Sequence, residues 1–171
     1  MTFPSNVLEL RRIALGVAAF AAVAALSGCA GLGGVTGAPE PERGDDGAIA
    51  ESGDADVFSI AVGDCMNDTT GTEVTEVPVV PCEEPHDNEV YASIMMEDGD
   101  YPGDEAVSTQ ADEGCTAEFE TFIGVPYAES EIYLSTLTPT EQSWASGDRE
   151  ILCLAYDPAG QTTGTLEGAA R

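Results

Sequence analysis

Pro81-Cys82-Glu83-Glu84-Pro85-His86-Asp87-Asn88-Glu89-Val90-Tyr91 gathers a cysteine, two prolines, four acidic residues and the chain's one histidine. It runs straight into an alternating apolar series. Over residues 89–96, Val90, Ala92, Ile94 and Met96 fall on one side and Tyr91, Ser93 and Met95 on the other, the period of a half-buried strand. Pro85-His86 reads as the sharp turn that feeds it. Upstream, residues 57–62 read as a strand stopped by Gly63-Asp64. Turn chemistry follows at residues 67–71, and a β-branched strand at residues 73–80 leads back to Cys82. Such a hairpin brings Cys65 and Cys82 close.

Downstream, Gly99 and Gly103 break the strand, and Asp104 is placed to cap a helix running to about Phe122. Val107, Ala111, Cys115, Phe119 and Phe122 recur there at helical spacing, so Cys115 belongs to the buried stripe. Gly124 and Pro126 end the helix, and residues 131–137 read as another strand. Thr138-Pro139-Thr140-Glu141 has the order of a capping box, with Thr138 as cap and proline in the first helical position. A short helix carrying Trp144 should follow and end at Gly147. Residues 151–156, including Cys153, form a strongly apolar strand, and residues 157–160 turn it into a last strand at residues 162–166. The predicted fold is α+β: a small antiparallel sheet of five or six strands packed by one long and one short helix, with two disulfides.

The leader sets the compartment. Arg11 and Arg12 precede an apolar run over residues 13–26, shorter than the roughly 20 residues that span a bilayer but right for a signal-peptide core. The run ends in Leu26-Ser27-Gly28-Cys29, which resembles a bacterial lipobox, in which the cysteine is acylated and becomes the mature N-terminus. This predicts a signal peptide over residues 1–28 and a lipid-anchored (palmitate-type) Cys29 on the extracytoplasmic side of the cell membrane. Residues 29–55 then form a disordered acidic, Gly- and Pro-rich tether with an r.m.s. reach of about 28 Å. The folded domain is expected over residues 56–171.

The formal charge is −27, with 32 acidic residues against five cations, every one an arginine. A field of that sign repels nucleic acid, anionic headgroups and polyanionic wall polymers, and favours cations and basic protein surfaces. DNA and RNA binding are excluded. With Cys29 assigned to lipid, four cysteines remain, an even number in an oxidising compartment. Three pairings are possible. The strand and helix readings favour Cys65–Cys82 across the hairpin and Cys115–Cys153 as a staple from helix to sheet. The alternative, cysteine as metal ligand or nucleophile, lacks the paired short spacings of zinc sites.

His86, beside Glu84, Asp87 and Glu89, is the natural place to look for metal or acid–base chemistry, since carboxylates orient imidazole. One histidine with local acids is a weak constellation, however, and no calcium-loop pattern accompanies it. No serine sits in a nucleophile elbow. The sequence therefore assigns no catalytic residue, metal or cofactor. It leaves His86, Glu84, Asp87, Glu89 and Trp144 as candidate ligand or partner contacts, with a small-ligand or cation site around His86 as the alternative to a binding scaffold.

The order Val62-Gly63-Asp64-Cys65, Val80-Pro81-Cys82, Pro85-His86, Glu89-Val90-Tyr91, Tyr101-Pro102-Gly103-Asp104, Gly114-Cys115, Pro139-Thr140 to Trp144, Gly147-Asp148-Arg149, Cys153 and Thr163-Gly164-Thr165-Leu166 resembles the actinobacterial septum formation domain, over about residues 56–168. The resemblance implies a domain displayed outside the membrane behind a membrane segment or lipid anchor, with the same four cysteines. It also implies a link to cell division through an envelope or division protein partner, and no defined activity. Glu167 stands where members often carry a basic residue.

Overall fold

The computed structural model describes residues 40–70 and 74–171. The leader, Cys29 and the first part of the expected tether lie outside the described residues. Six strands make one antiparallel sheet: β1 (Gly53–Asp56), β2 (Cys65–Met66), β3 (Glu76–Val80), β4 (Asn88–Met95), β5 (Tyr133–Leu137) and β6 (Glu150–Tyr156), in the order β1-β3-β2-β4-β6-β5. The long helix α1 (Asp104–Ile123) and the short α2 (Glu141–Ala145) complete the α+β fold. Among the described residues no helix is long and apolar enough to cross a membrane.

The sheet is covered on both faces. Ile151, Cys153 and Ala155 of β6 pack with Val107, Ala111, Cys115, Phe119 and Ile123 of α1. Leu152 and Leu154 point the other way and pack with Met66, Val77, Val79 and Val90. This two-sided burial is why β6 reads as a nearly unbroken apolar run. Both disulfides form as the helix and strand readings favour. Cys115–Cys153 ties α1 to β6 and Cys65–Cys82 ties β2 to the end of β3, closing loops of 38 and 17 residues. Loop-closure entropy assigns them about 4 and 3 kcal/mol.

Five local expectations are corrected. Residues 57–62 do not form a strand. Asp56 accepts a hydrogen bond from the Phe58 amide at 2.9 Å and starts a 3₁₀ turn over Val57–Ser59, and the edge strand lies just before it, paired Ala55↔Val77. A side chain competing for backbone donors has outweighed β propensity. The simple alternation in β4 also fails, because Val90 pairs with Leu154 while Ala92 pairs with Cys153, leaving Tyr91 as the extra residue of a bulge. Val90 therefore joins the far-side core, and Tyr91 and Ala92 join the α1 side.

Helix caps are displaced as well. Gly103, with φ 94°, precedes α1 without a side-chain cap, while Asp104 is the first helical residue and accepts from the Tyr101 hydroxyl. For α2 the cap is Thr140, not Thr138, in a box closed reciprocally by Ser143. Finally, residues 162–166 make no strand. His86 and Thr162 exchange two backbone hydrogen bonds at 2.9 Å, and the chain then breaks away at Gly164, with φ 84°.

The ordered domain also begins before residue 56. Arg43 bridges to Ile49, which is buried, and its guanidinium grips the Asp64 carboxylate with two bonds of 2.6 and 2.7 Å. Residues 43–55 of the expected tether are thus part of the fold.

Candidate functional site

The stretch at residues 81–91 is held from both sides. The Glu84 amide donates to the Pro81 carbonyl at 2.8 Å, making the turn that Pro81 and Pro85 frame. His86, 0 % exposed, is thereby swung inward. Its Nδ1 lies 2.9 Å from the Glu84 carbonyl, which can only accept, so Nδ1 carries the proton and donates. Nε2 is left facing the Thr162 hydroxyl at 3.2 Å. This Thr162–His86 contact is the nearest approach to a nucleophile and base pair around His86. Both ring nitrogens are engaged, however, and the ring is sealed from solvent.

Glu89, 3 % exposed, points under the C-terminal segment. One carboxylate oxygen accepts from the Thr165 hydroxyl and the other from the Leu166 amide, both at 2.6 Å. A buried carboxylate needs such donors to offset its lost hydration. Leu166 is thereby seated in the core beside α1. The sulfurs of Cys65 and Cys82 and a Glu89 oxygen lie within 4.8 Å of one another, the spacing of a metal-ligand triplet. The disulfide removes the thiolates that coordination would need.

The remaining expected contacts are dispersed. Glu84 is exposed and accepts from the Ser52 hydroxyl at 2.8 Å. Asp87 accepts from the Asp68 amide, and Asp68 in turn accepts from the Asn88 side chain, each at 2.9 Å. Trp144 belongs to a different cluster. Its indole N–H donates to the Gly99 carbonyl at 2.9 Å, Tyr101 meets it edge-on, and the Arg149 guanidinium lies 3.8 Å from its ring centroid.

Sequence reasoning passed over Asp64 as a structural charge. Its carboxylate, 2 % exposed, also accepts from the Ala61 amide at 2.8 Å, and the pairing holds the Arg43 guanidinium above its ordinary pKa, chiefly through the hydrogen bonds. The available signal was scarcity: a chain with five cations places few of them by accident. The alternation, which sets Tyr91 beside Ser93 and Met95, gives no role to its hydroxyl. Its hydroxyl donates to the Cys115 carbonyl at 2.7 Å, and burial pushes its pKa above the usual tyrosine range.

Concave features among the described residues include a shallow one of about 640 Å³ along α1, lined by Glu105, Thr109 and Glu113. A cleft of about 190 Å³ lies beside β5, with the polar Asn67, Asp68 and Ser135 in its lining as well as Met66, Val77 and Leu154. Within the chain, a family model described as septum formation matches residues 46–170. No curated protein and no solved structure matches.

Proposed function

We propose, since the chain belongs to the septum formation family, that it works as a non-enzymatic binding or scaffold module of the cell envelope, lipid-anchored outside the membrane and acting at the division site. The family supports the link to division. The observation that supports the non-enzymatic part is how the chemistry-bearing side chains are used: His86, Glu89, Asp64 and Trp144 all spend their polar atoms holding the fold together. The leader and the lipobox-like Leu26-Ser27-Gly28-Cys29 support the anchor.

Two experiments test it. The full chain should fractionate with membranes and shift to the soluble fraction on Cys29→Ser; an unchanged distribution overturns the anchor. A fluorescent fusion should concentrate at septa, and cross-linking in cells should join it to a division or envelope protein. Uniform membrane fluorescence with normal septa after deletion overturns the division role, and absence of any cross-linked partner overturns the binding role.

A further inference from the structure

The two edges of the sheet are built differently. β1 is four residues long and carries Asp54 and Asp56, charges of the kind that keep a sheet edge from pairing with another chain. β5, Tyr133-Leu134-Ser135-Thr136-Leu137, has no charge, proline or glycine. It bonds to β6 on one side, and among the described residues no strand pairs with the other. Among the described residues, five residues of uncharged backbone, about 17 Å long, thus stand as a pairing template. The cleft lies against this edge, with Ser135, Thr136 and Leu137 in its wall.

Charge decides the occupant. Arg43, Arg149 and Arg171, the three cations among the described residues, are each paired to a carboxylate, Asp64, Asp98 and Asp157 respectively. No described cation is left over to attract an anion, and the formal net charge of −27 makes the chain strongly anionic. A second copy of the chain would bring the same charge to the edge and be repelled. A basic segment would be drawn in.

We propose that β5 is a strand-addition site for an extended, lysine- or arginine-bearing segment of another protein. The segment's main chain continues the sheet, and a short side chain on the Ser135 and Leu137 face enters the cleft, whose lining includes Asp68. This rests on the reading of the domain as a binding module and names the surface it uses.

The test uses the full chain and a synthetic peptide alternating valine and threonine between terminal lysines. Three controls are the same peptide with glutamates for lysines, the same peptide N-methylated at alternate residues, and the second N-methyl register. The lysine peptide should bind and slow hydrogen exchange at amides of residues 133–137 at least tenfold. The glutamate peptide should bind at least tenfold more weakly, and one N-methyl register should fail. Ser135→Lys, which places a cation on the edge, should weaken capture at least tenfold, while Glu118→Lys on α1 should not.

Equal binding of both N-methyl registers, protection elsewhere in the domain, or no binding of the lysine peptide overturns the proposal. So does exchange showing every amide of β5 already protected in the free chain, since the chain would then cover its own edge. A dimer abolished by Ser135→Lys would assign the edge to a second copy instead. A cross-linked partner retained by Ser135→Lys would sink the edge while leaving the binding module standing.

Discussion

At the scale of single residues, the polar groups that matter are those whose loss strands a buried partner. Removing the Arg43 guanidinium leaves Asp64 charged and enclosed, so Arg43→Ala should lower the unfolding free energy by about 3–5 kcal/mol, read by urea denaturation. A change below 1 kcal/mol would mean that the pair is dispensable. Tyr101 offers a pH test. Its hydrogen bond to Asp104 lifts the phenol from 10.0 to about 12. Because the folded-state value is raised, the stabilisation is complete below pH 10 and is lost as pH rises through about 12. Ultraviolet titration should show a late tyrosine that Tyr101→Phe or Asp104→Asn removes or returns to the ordinary range. Tyr91, which burial also raises, stays late in Tyr101→Phe, so an unchanged number of late tyrosines in that variant would overturn the assignment.

The elements show where legibility in the sequence stops. α1 was readable because one period governs it: the four-residue spacing that put Val107, Ala111, Cys115 and Phe119 on a single stripe is the stripe observed. β6 was readable as an unbroken apolar run, and β4 as a strand though not in its facing. The Cys115–Cys153 pairing followed from α1 and β6, and Cys65–Cys82 from the hairpin reading, although residues 57–62 are not its strand. What escaped was decided by partners distant in sequence. The alternation of β4 ran through Tyr91 without a sign of the bulge, because the bulge serves the hydroxyl's bond to Cys115 across 24 residues. Residues 162–166 looked like a strand, yet Glu89 holds them through bonds spanning 76 and 77 residues. His86 was legible as the centre of its turn, whereas its burial and its Thr162 contact were not. The approach of α1 to β4 is likewise invisible in sequence. A Cβ at Gly114 would collide with Cδ1 of Ile94. Gly114→Ala gains about 1 kcal/mol of helix propensity but must move that methyl group. Combined with Ile94→Val, which deletes it, the alanine should be at least 1 kcal/mol better tolerated than in the wild-type background, measured as a coupling energy. Strict additivity would show that Ile94 rotates away without cost.

Across the described domain, two crosslinks and the buried carboxylates of Asp64 and Glu89 join sequence-distant parts. Glu89→Gln keeps the shape but turns one acceptor oxygen into a donor facing either the Thr165 hydroxyl or the Leu166 amide. Loss of that charge-assisted bond should cost about 1.5–3 kcal/mol and speed hydrogen exchange at residues 162–168 before the rest of the domain. Uniform acceleration would mean that the segment is not a separate layer.

The C-terminal strap also governs the order in which the domain can be completed. Cys65 and Cys82 are 17 residues apart and can meet early, whereas Cys115–Cys153 waits for β6, and His86 and Glu89 acquire their partners only when residues 162–166 arrive. Contacts of such long sequence separation are slow to form. Acid-quenched thiol trapping during oxidative refolding should therefore find the Cys65–Cys82 bond first, with the strap still open to protease. Chain closure from the far end makes the strap the latch of the domain, set only after everything beneath it is in place.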